Sequence, residues 1–259
     1  MTEQARRLRK SILRTAHAGQ DANLQSAFSC VEILRVLYDR ILRAPGEPSC
    51  ADRDRFVLSK GQATMALLAL MAEKGLLPQE ELASACRYGS RVSMQADRTK
   101  LPFIEVSAGS LGHGFPVAAG MAWANKIAGR GGSVYVLAGD GEMNEGTMWE
   151  AAIFAASEKL DGLTLIVDDN RSIGRSIDMG NLAAKLRAFG FHCVSEDGHD
   201  EDALERAIRT EHPGTPLAVI ARTRRGFGSG TLMEDASWFH RAPSDEELAM
   251  LLEEVERYA

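Results

Sequence analysis

Short apolar runs alternate along the chain with longer segments whose apolar residues recur at helical spacing. Residues 133–138 (SVYVLA), 163–167 (LTLIV) and 217–221 (LAVIA) are nearly continuous apolar runs, as expected for strands buried on both sides. Residues 56–58 predict a shorter strand. Apolar strands separated by helices predict an α/β fold in which helices cover both faces of a parallel sheet.

The predicted helices lie between and around these strands. We expect helices at 2–19, 29–42, 62–74, 116–128, 148–160, 182–189, 202–209 and 245–258. Residues 44–52 predict a loop, and Ser244 is expected to cap the last helix. The chain has 259 residues and no repeats, so we expect a single domain over 1–259.

Charge and hydropathy exclude two classes of partner. The net charge of −6 argues against nucleic acid, which requires a basic face. The one basic run, Arg6, Arg7, Arg9, Lys10 and Arg14, predicts a solvated helix face. No apolar run approaches the roughly 20 residues that span a bilayer, and the amino terminus is polar rather than signal-like. We therefore expect a cytoplasmic protein with no membrane partner.

Polar residues follow two neighbouring predicted strands. Asp140 stands between Gly139 and Gly141 directly after strand 133–138, and Asn170 follows strand 163–167. Open α/β sheets bind ligands at this edge, where a glycine lets the backbone approach a phosphate and a following helix directs its amino terminus at the anion. A carboxylate, an amide and a backbone carbonyl would suit Mg²⁺. Gly-Asp-Gly alone is also a common turn, but the paired strand ends favour a magnesium and diphosphate site.

Further segments surround these residues in a fixed order. They are 16–19 (AHAG), 52–61 (DRDRFVLSKG), 104–112 (IEVSAGSLG), 139–149 (GDGEMNEGTMW), 196–200 (EDGHD), 221–223 (ART), 226–228 (GFG) and 233–234 (ME). This series resembles the amino-terminal half of the transketolase family nearly from end to end. The family continues with a pyrimidine-binding domain and a third domain, whereas this sequence ends at residue 259.

The resemblance implies that the chain binds thiamine diphosphate and Mg²⁺. Loop 109–112 would hold the aminopyrimidine, and Ser172 would give the metal only its backbone carbonyl. The metal ligands implied are Asp140, Asn170 and Ser172. The cofactor-binding residues implied are Gly109, Ser110, Leu111, Gly139, Asp140, Gly141, Glu142, Asn170 and Ser172.

The resemblance also implies catalytic residues. His17 matches a substrate-contacting histidine, and Glu145 matches a glutamate that contacts the catalytic acid of another chain. Glu145 is equally suited to the start of a helix. His240 is a further candidate, whereas Glu142 is expected to be a first-turn residue rather than a catalyst. No functional cluster is expected around His192, His199 or His212.

Two departures from the family concern the substrate. Gln62 and Gln95 stand where the family has histidines that meet the substrate. Glutamine forms hydrogen bonds but does not carry a proton near neutral pH. We therefore expect a modified or unusual sugar rather than the common pentose phosphates, with neutral drift as the alternative.

Three functional hypotheses follow. The first is the amino-terminal subunit of a two-subunit transketolase, transferring a two-carbon ketol unit between sugars or sugar phosphates. A carboxy-terminal subunit would supply the pyrimidine-binding domain in a heterotetramer. The second is the α-subunit of a 2-oxo-acid dehydrogenase or decarboxylase, which the SKG, GSLG and WEA blocks oppose. The third is a non-catalytic regulatory subunit, which Asp140 and Asn170 oppose.

Overall fold

The computed structural model describes residues 1–45, 47, 49–171 and 177–258. Within these ranges, all strand pairs are parallel and form one sheet in the order β1-β2-β3-β5-β4. The strands are β1 (Arg55–Leu58), β2 (Val134–Gly139), β3 (Leu163–Asp169), β4 (His192–Asp197) and β5 (Leu217–Arg222). The predicted parallel sheet is confirmed.

Helices connect and flank these strands. They are α1 (Glu3–Gly19), α2 (Leu24–Ser29), α3 (Val31–Val36), α4 (Thr64–Glu73), α5 (Gly114–Ile127), α6 (Gly146–Ser157), α7 (Leu182–Ala188), α8 (Glu201–Ile208), α9 (Gly230–Glu234) and α10 (Asp245–Arg257). Ser244 caps α10 in a reciprocal capping box with Glu247, as the sequence predicts. In the described ranges, no helix is long and apolar enough to cross a membrane.

Strand side chains alternate between two hydrophobic layers, because successive residues of a strand point to opposite faces. Leu137 and Ile166 pack in one layer with α1 to α4, α8 and α10. Val136 and Leu165 pack in the other layer with α5, α6 and α7. The sheet is therefore covered on both faces, as predicted.

Two differences from the sequence prediction have a clear physical reason, and α9 was not predicted. The predicted helix 29–42 is instead α2, α3 and a π-turn at Leu37–Ile41, and α2 begins earlier because Asn23 accepts the N–H of Ser26 at 3.2 Å. Strand β4 was missed. It lies at the edge of the sheet with only partial burial, so its sequence lacks a continuous apolar run.

Arg9 corrects the prediction of a solvated basic face. Its side chain is fully buried, although Arg7 and Arg14 on the same helix are exposed. The guanidinium donates to both carboxylate oxygens of Glu32, at 2.7 and 2.9 Å, and to the carbonyl of Phe227 at 2.6 Å. A buried charge requires such pairing. Arg9 therefore joins α1 to α3 and to the segment after β5.

His199 belongs to the same buried cluster and has a structural role there. Its Nδ1 lies 3.0 Å from Glu32, and its Nε2 accepts the N–H of Arg224 at 2.9 Å. The acceptor role of Nε2 places the ring proton on Nδ1. The ring also stacks on Phe227, with centroids 3.6 Å apart.

The pKa of Glu32 determines how this cluster responds to acid. Burial opposes ionisation, but Arg9 and His199 outweigh it and lower the pKa from 4.5 to about 2. Because the folded-state pKa is depressed, the stabilisation is present above about pH 4.5 and is lost as the pH falls towards about 2. This difference in pKa corresponds to about 3 kcal/mol of unfolding free energy.

We expect Glu32→Gln to remove most of this pH dependence. The variant should be less stable at neutral pH, because Arg9 loses its charged partner, and its unfolding free energy should fall less steeply between about pH 5 and pH 2 than that of the parent chain. Urea unfolding at each pH measures the effect, with the exposed Glu3→Gln as control. An acid profile in Glu32→Gln as steep as that of the parent chain would contradict the assignment.

Candidate functional site

The carboxyl ends of β1, β2, β3 and β5 meet at one edge of the sheet. Gly139 pairs with Asp168, and the N–H of Asp140 donates to the carbonyl of Asp168 at 3.1 Å. This bond holds the segment after β2 beside the segment after β3. Asp140 and Asn170 therefore lie on neighbouring strand ends, at the edge where parallel sheets bind ligands.

The side chains of Asp140 and Asn170 are buried and carry oxygen atoms of the kind that Mg²⁺ prefers as ligands. Asp140 Oδ1 accepts the N–H of Gly141 at 2.8 Å. Asn170 Nδ2 donates to Asp168 Oδ2 at 3.2 Å, which turns the amide oxygen of Asn170 away from Asp168. This carboxylate and amide fit a magnesium ion that shares its other positions with phosphate oxygens and water.

Ser172, the third predicted metal ligand, lies outside the described residues. Among the described residues, no group of three or more His, Cys, Asp and Glu side chains could hold a metal ion. A cation at this edge would therefore depend on one carboxylate supplemented by amide and backbone oxygens.

Glu142 links three loops of the site. Its carboxylate accepts from the hydroxyl of Ser59 after β1 and from the N–H of Gly112 at 2.8 Å. The hydroxyl of Thr147 donates to the carbonyl of Gly112 at 2.7 Å. Burial raises the pKa of Glu142. Its side chain therefore holds loop 109–112 against the Gly-Asp-Gly turn, an arrangement that a first-turn position alone does not predict.

Both glutamines predicted to contact substrate border these loops. Gln62 Nε2 lies 3.9 Å from the position that a Cβ on Gly139 would occupy. Gln95 Nε2 donates to the carbonyl of Gly109 at 3.5 Å. The structure thus places Gln62 beside the Gly-Asp-Gly turn and Gln95 beside loop 109–112.

The two predicted catalytic histidines, His17 and His240, make their ring contacts away from the loops described above, in the carboxy-terminal segment. His17 Nδ1 lies 2.9 Å from the carbonyl of Pro243, and Nε2 lies 3.0 Å from Asp245, so α10 holds this ring at its start. His240 is exposed and packs edge-on against Phe239. These ring contacts of His17 and His240 lie in the carboxy-terminal segment, and the catalytic roles of both histidines stay predictions.

Glu145 occupies the position just before α6. Its side chain is exposed, does not cap the helix, and makes no hydrogen bond or ion pair within the described part of the chain. Its place at the positive end of α6 agrees with a helix-start carboxylate. The exposed carboxylate also leaves Glu145 accessible to another chain.

Sequence analysis missed a buried ion pair beneath the site. Lys60 is fully buried and donates to Asp168, which also accepts from Ser29 at 2.6 Å and from Thr223. Burial disfavours a charged Lys60, but Asp168 outweighs burial and raises the pKa of the lysine. The Ser-Lys-Gly block marked Lys60 in the sequence. Ser29 and Thr223 gave no signal, because only the tertiary fold brings them together.

The chain matches one protein family along nearly all its length. Residues 2–255 match the family described as "Transketolase, thiamine diphosphate binding domain". An apulose-4-phosphate transketolase subunit of Actinobacillus succinogenes is 34% identical over 254 residues, which cover 95% of this chain and 92% of that protein. The 6-deoxy-6-sulfo-D-fructose transketolase subunit SqwG of a Clostridium species is 36% identical over 239 residues, covering 88% and 86% respectively.

Solved structures show the same fold. The transketolase of Leishmania mexicana superposes with a TM-score of 0.90 at 26% identity, covering 98% of this chain and 41% of that one. The transketolase of Campylobacter jejuni gives a TM-score of 0.86 at 26% identity and covers 99% and 43%. The chain thus spans about two fifths of these larger proteins.

We expect Gly112→Ala to destabilise the loop that Glu142 holds. Gly112 has φ +78°, and a Cβ there would lie 2.5 Å from Thr147 Oγ1 and 2.6 Å from Glu145 Cβ. Strain of this kind costs about 1–3 kcal/mol. Urea unfolding measures it, with Gly162→Ala as control because no described atom lies within 4 Å of the added Cβ. Equal stability of the two variants would contradict the close packing.

Proposed function

Because the chain belongs to the transketolase family through its thiamine diphosphate-binding domain, we propose that it is the cofactor-binding subunit of a two-subunit transketolase. The enzyme would transfer a two-carbon ketol unit between sugars or sugar phosphates. The observation that carries this proposal is the buried pair of Asp140 and Asn170 on neighbouring strand ends. Membership of the transketolase family supports this proposal over the hypotheses of a 2-oxo-acid enzyme and of a non-catalytic subunit.

The chain's own residues would hold the cofactor by its diphosphate. Thiamine diphosphate supplies carbanion-stabilising chemistry when bound. Asp140 and Asn170 would bind the Mg²⁺ that neutralises the diphosphate, with the Ser172 carbonyl as a further ligand. The backbone of Gly139 and Gly141 would approach the phosphates. Residues 109–111, held through Gly112, would face the aminopyrimidine.

This chain and a partner chain would share the residues for proton transfer and substrate binding. Glu145 is exposed beside loop 109–112, so a catalytic acid on another chain could contact it. Gln62 and Gln95 would donate and accept hydrogen bonds at the substrate without carrying a proton. Such roles remain for His17, His240 and the partner chain. This division supports a substrate other than the common pentose phosphates.

An apolar surface supports association with a further chain. The exposed sides of its two helices, α5 and α6, carry several large apolar side chains, which is unusual for surface helices. Ile127 and Ile153 are 66% and 59% exposed, and the exposed rings of Trp123 and Phe154 lie 6.0 Å apart. The exposed residues of α5 are Val117, Gly120, Trp123, Ala124, Lys126 and Ile127.

We assign this α5–α6 face to contact with a second copy of the chain. Lys126 is the one charged residue on the exposed side of α5, and its ammonium already donates to the carbonyls of Glu158 and Lys159 at 2.6 and 3.0 Å. A two-fold contact places each residue near its own counterpart, so an uncharged centre avoids repulsion. Two copies joined here, each with a partner subunit, would form the heterotetramer.

We expect Asp140→Ala to abolish retention of thiamine diphosphate. Losing one charge of a buried ionic contact costs about 3–5 kcal/mol, which is at least about 100-fold in affinity. Asn170→Ala should weaken binding, and Ser172→Ala should be nearly neutral because only its backbone carbonyl is required. Calorimetric titration of the cofactor with Mg²⁺ into the reconstituted complex measures all three. Unchanged affinity in Asp140→Ala would remove this site from the proposal.

We also expect the isolated chain to be catalytically silent. Ketol transfer should appear only with a partner subunit, Mg²⁺ and thiamine diphosphate, because the acid that activates the cofactor would come from the partner. The assay compares the chain with the mixture, using xylulose 5-phosphate and ribose 5-phosphate and then modified sugars. Equal rates for the chain and the mixture would contradict the two-subunit proposal.

A further outcome of this assay tests the specificity of the enzyme. Turnover of the pentose phosphates at about 10⁴ M⁻¹s⁻¹ or more would show that Gln62 and Gln95 do not redirect specificity.

Ile127→Glu places a charge on the α5–α6 face and should halve the mass of the assembly in light scattering. The matched change Ile177→Glu, at another exposed isoleucine, should leave the mass unchanged.

A further inference from the structure

The carboxylate of Asp168 collects hydrogen bonds from four separate segments of the chain. Oδ2 accepts from Lys60, from Ser29 at 2.6 Å and from Asn170 at 3.2 Å, and Oδ1 accepts from Thr223. These donors come from the loop after β1, from α2, from the loop after β3 and from the end of β5. A carboxylate has about four acceptor sites, two on each oxygen, so these donors crowd Oδ2 and use one site of Oδ1.

These contacts distinguish Asp168 from Asp140. A carboxylate that binds a cation must direct a lone pair at it, and Oδ2 of Asp168, the oxygen beside Asn170, is already engaged by Lys60, Ser29 and Asn170. The main-chain carbonyl of Asp168 accepts from the N–H of Asp140. Asp168 thus contacts both proposed magnesium ligands, Asp140 through its main chain and Asn170 through its side chain.

The burial of this ion pair is costly and needs an explanation. Lys60 and Asp168 have essentially no exposed surface. Desolvation of two charges offsets much of their attraction, and well-packed apolar residues commonly stabilise a core at least as well. Stability alone is therefore a weak reason for an ion pair here. Its contact with Asn170 offers a specific role.

We propose that Lys60 and Asp168 are positioning residues that fix the amide of Asn170 so that its oxygen faces the metal. This inference rests on the proposed function. Asn170 Nδ2 lies 3.2 Å from both Asp168 Oδ2 and Ser29 Oγ, and both can accept its protons. An amide rotated by half a turn would direct its oxygen at the carboxylate and be repelled. The network therefore selects one of the two amide orientations.

Lys60 completes the network by fixing the carboxylate itself. Its ammonium donates to Asp168 and to the carbonyl of Ser26 in α2 at 3.1 Å. It also supplies the positive charge that keeps Asp168 from competing with Asp140 for the cation. Groups that orient metal ligands typically change metal affinity or activity by about 10–100-fold when they are removed.

The test compares stability with Mg²⁺ dependence in the full chain bound to its partner. Lys60→Met leaves a buried carboxylate unpaired and should lower the unfolding midpoint in urea. Lys60→Met combined with Asp168→Leu replaces the pair with apolar side chains and should recover most of that midpoint. The Mg²⁺ concentration for half-maximal thiamine diphosphate binding, measured by calorimetry, should nevertheless stay about 10–100-fold above that of the parent complex.

A milder pair of variants keeps the test decisive if the double variant does not fold. Ser29→Ala removes one hydroxyl that contacts both Asp168 and Asn170 and should raise the Mg²⁺ requirement about tenfold or more. Thr164→Val removes a buried hydroxyl in the same strand, β3, at a distance from Asn170 and should not. Parent-like Mg²⁺ dependence in Ser29→Ala, or in a folded double variant, would overturn the proposal. Absence of cofactor binding in the parent complex would instead refute the proposed function.

Discussion

The parallel register between β2 and β3 is the constraint on which the site depends. Gly139 stands opposite Asp168, so Asp140 and Asn170 lie just past the ends of neighbouring strands. A shift of one residue would turn every side chain of one strand to the other face. It would also exchange the two hydrophobic layers, because adjacent strand residues such as Val136 and Leu137 belong to different layers. The packing of both layers thus enforces the geometry of the site.

The two buried carboxylates beside Asp140 have different structural roles. Glu142 accepts from Ser59 and Gly112 and fixes a loop, while Asp168 accepts from four segments and supports Asn170. Each is neutralised or hydrogen-bonded by the protein, as buried acids must be. Asp140 shares a turn with Glu142 and donates its N–H to the main-chain carbonyl of Asp168. The proposed metal site is therefore supported from both sides by groups that are not its ligands.

The sequence predicts the architecture and the strand-end residues, because continuous apolar runs and glycine turns are local signals. It does not predict features that depend on distant segments. Arg9 lies in a basic run, yet it is buried because Glu32 and the carbonyl of Phe227 are brought to it by other elements. His199 has no partner nearby in sequence and gains Glu32 only through the packing of α3. Edge strand β4 was missed because only Cys193 among its residues is buried.

The outer surfaces of the two helix layers differ in polarity. The layer containing α1, α8 and α10 uses amphipathic helices with charged outer faces, such as the exposed Arg7 and Arg14 of α1, and suits contact with water. The layer containing α5 and α6 continues its apolar character outward to Ile127 and Ile153. Because α6 begins beside Glu145, a protein that covered this second surface would also approach the cofactor loops. In the proposed assembly, association and completion of the active site would thus be coupled through α6.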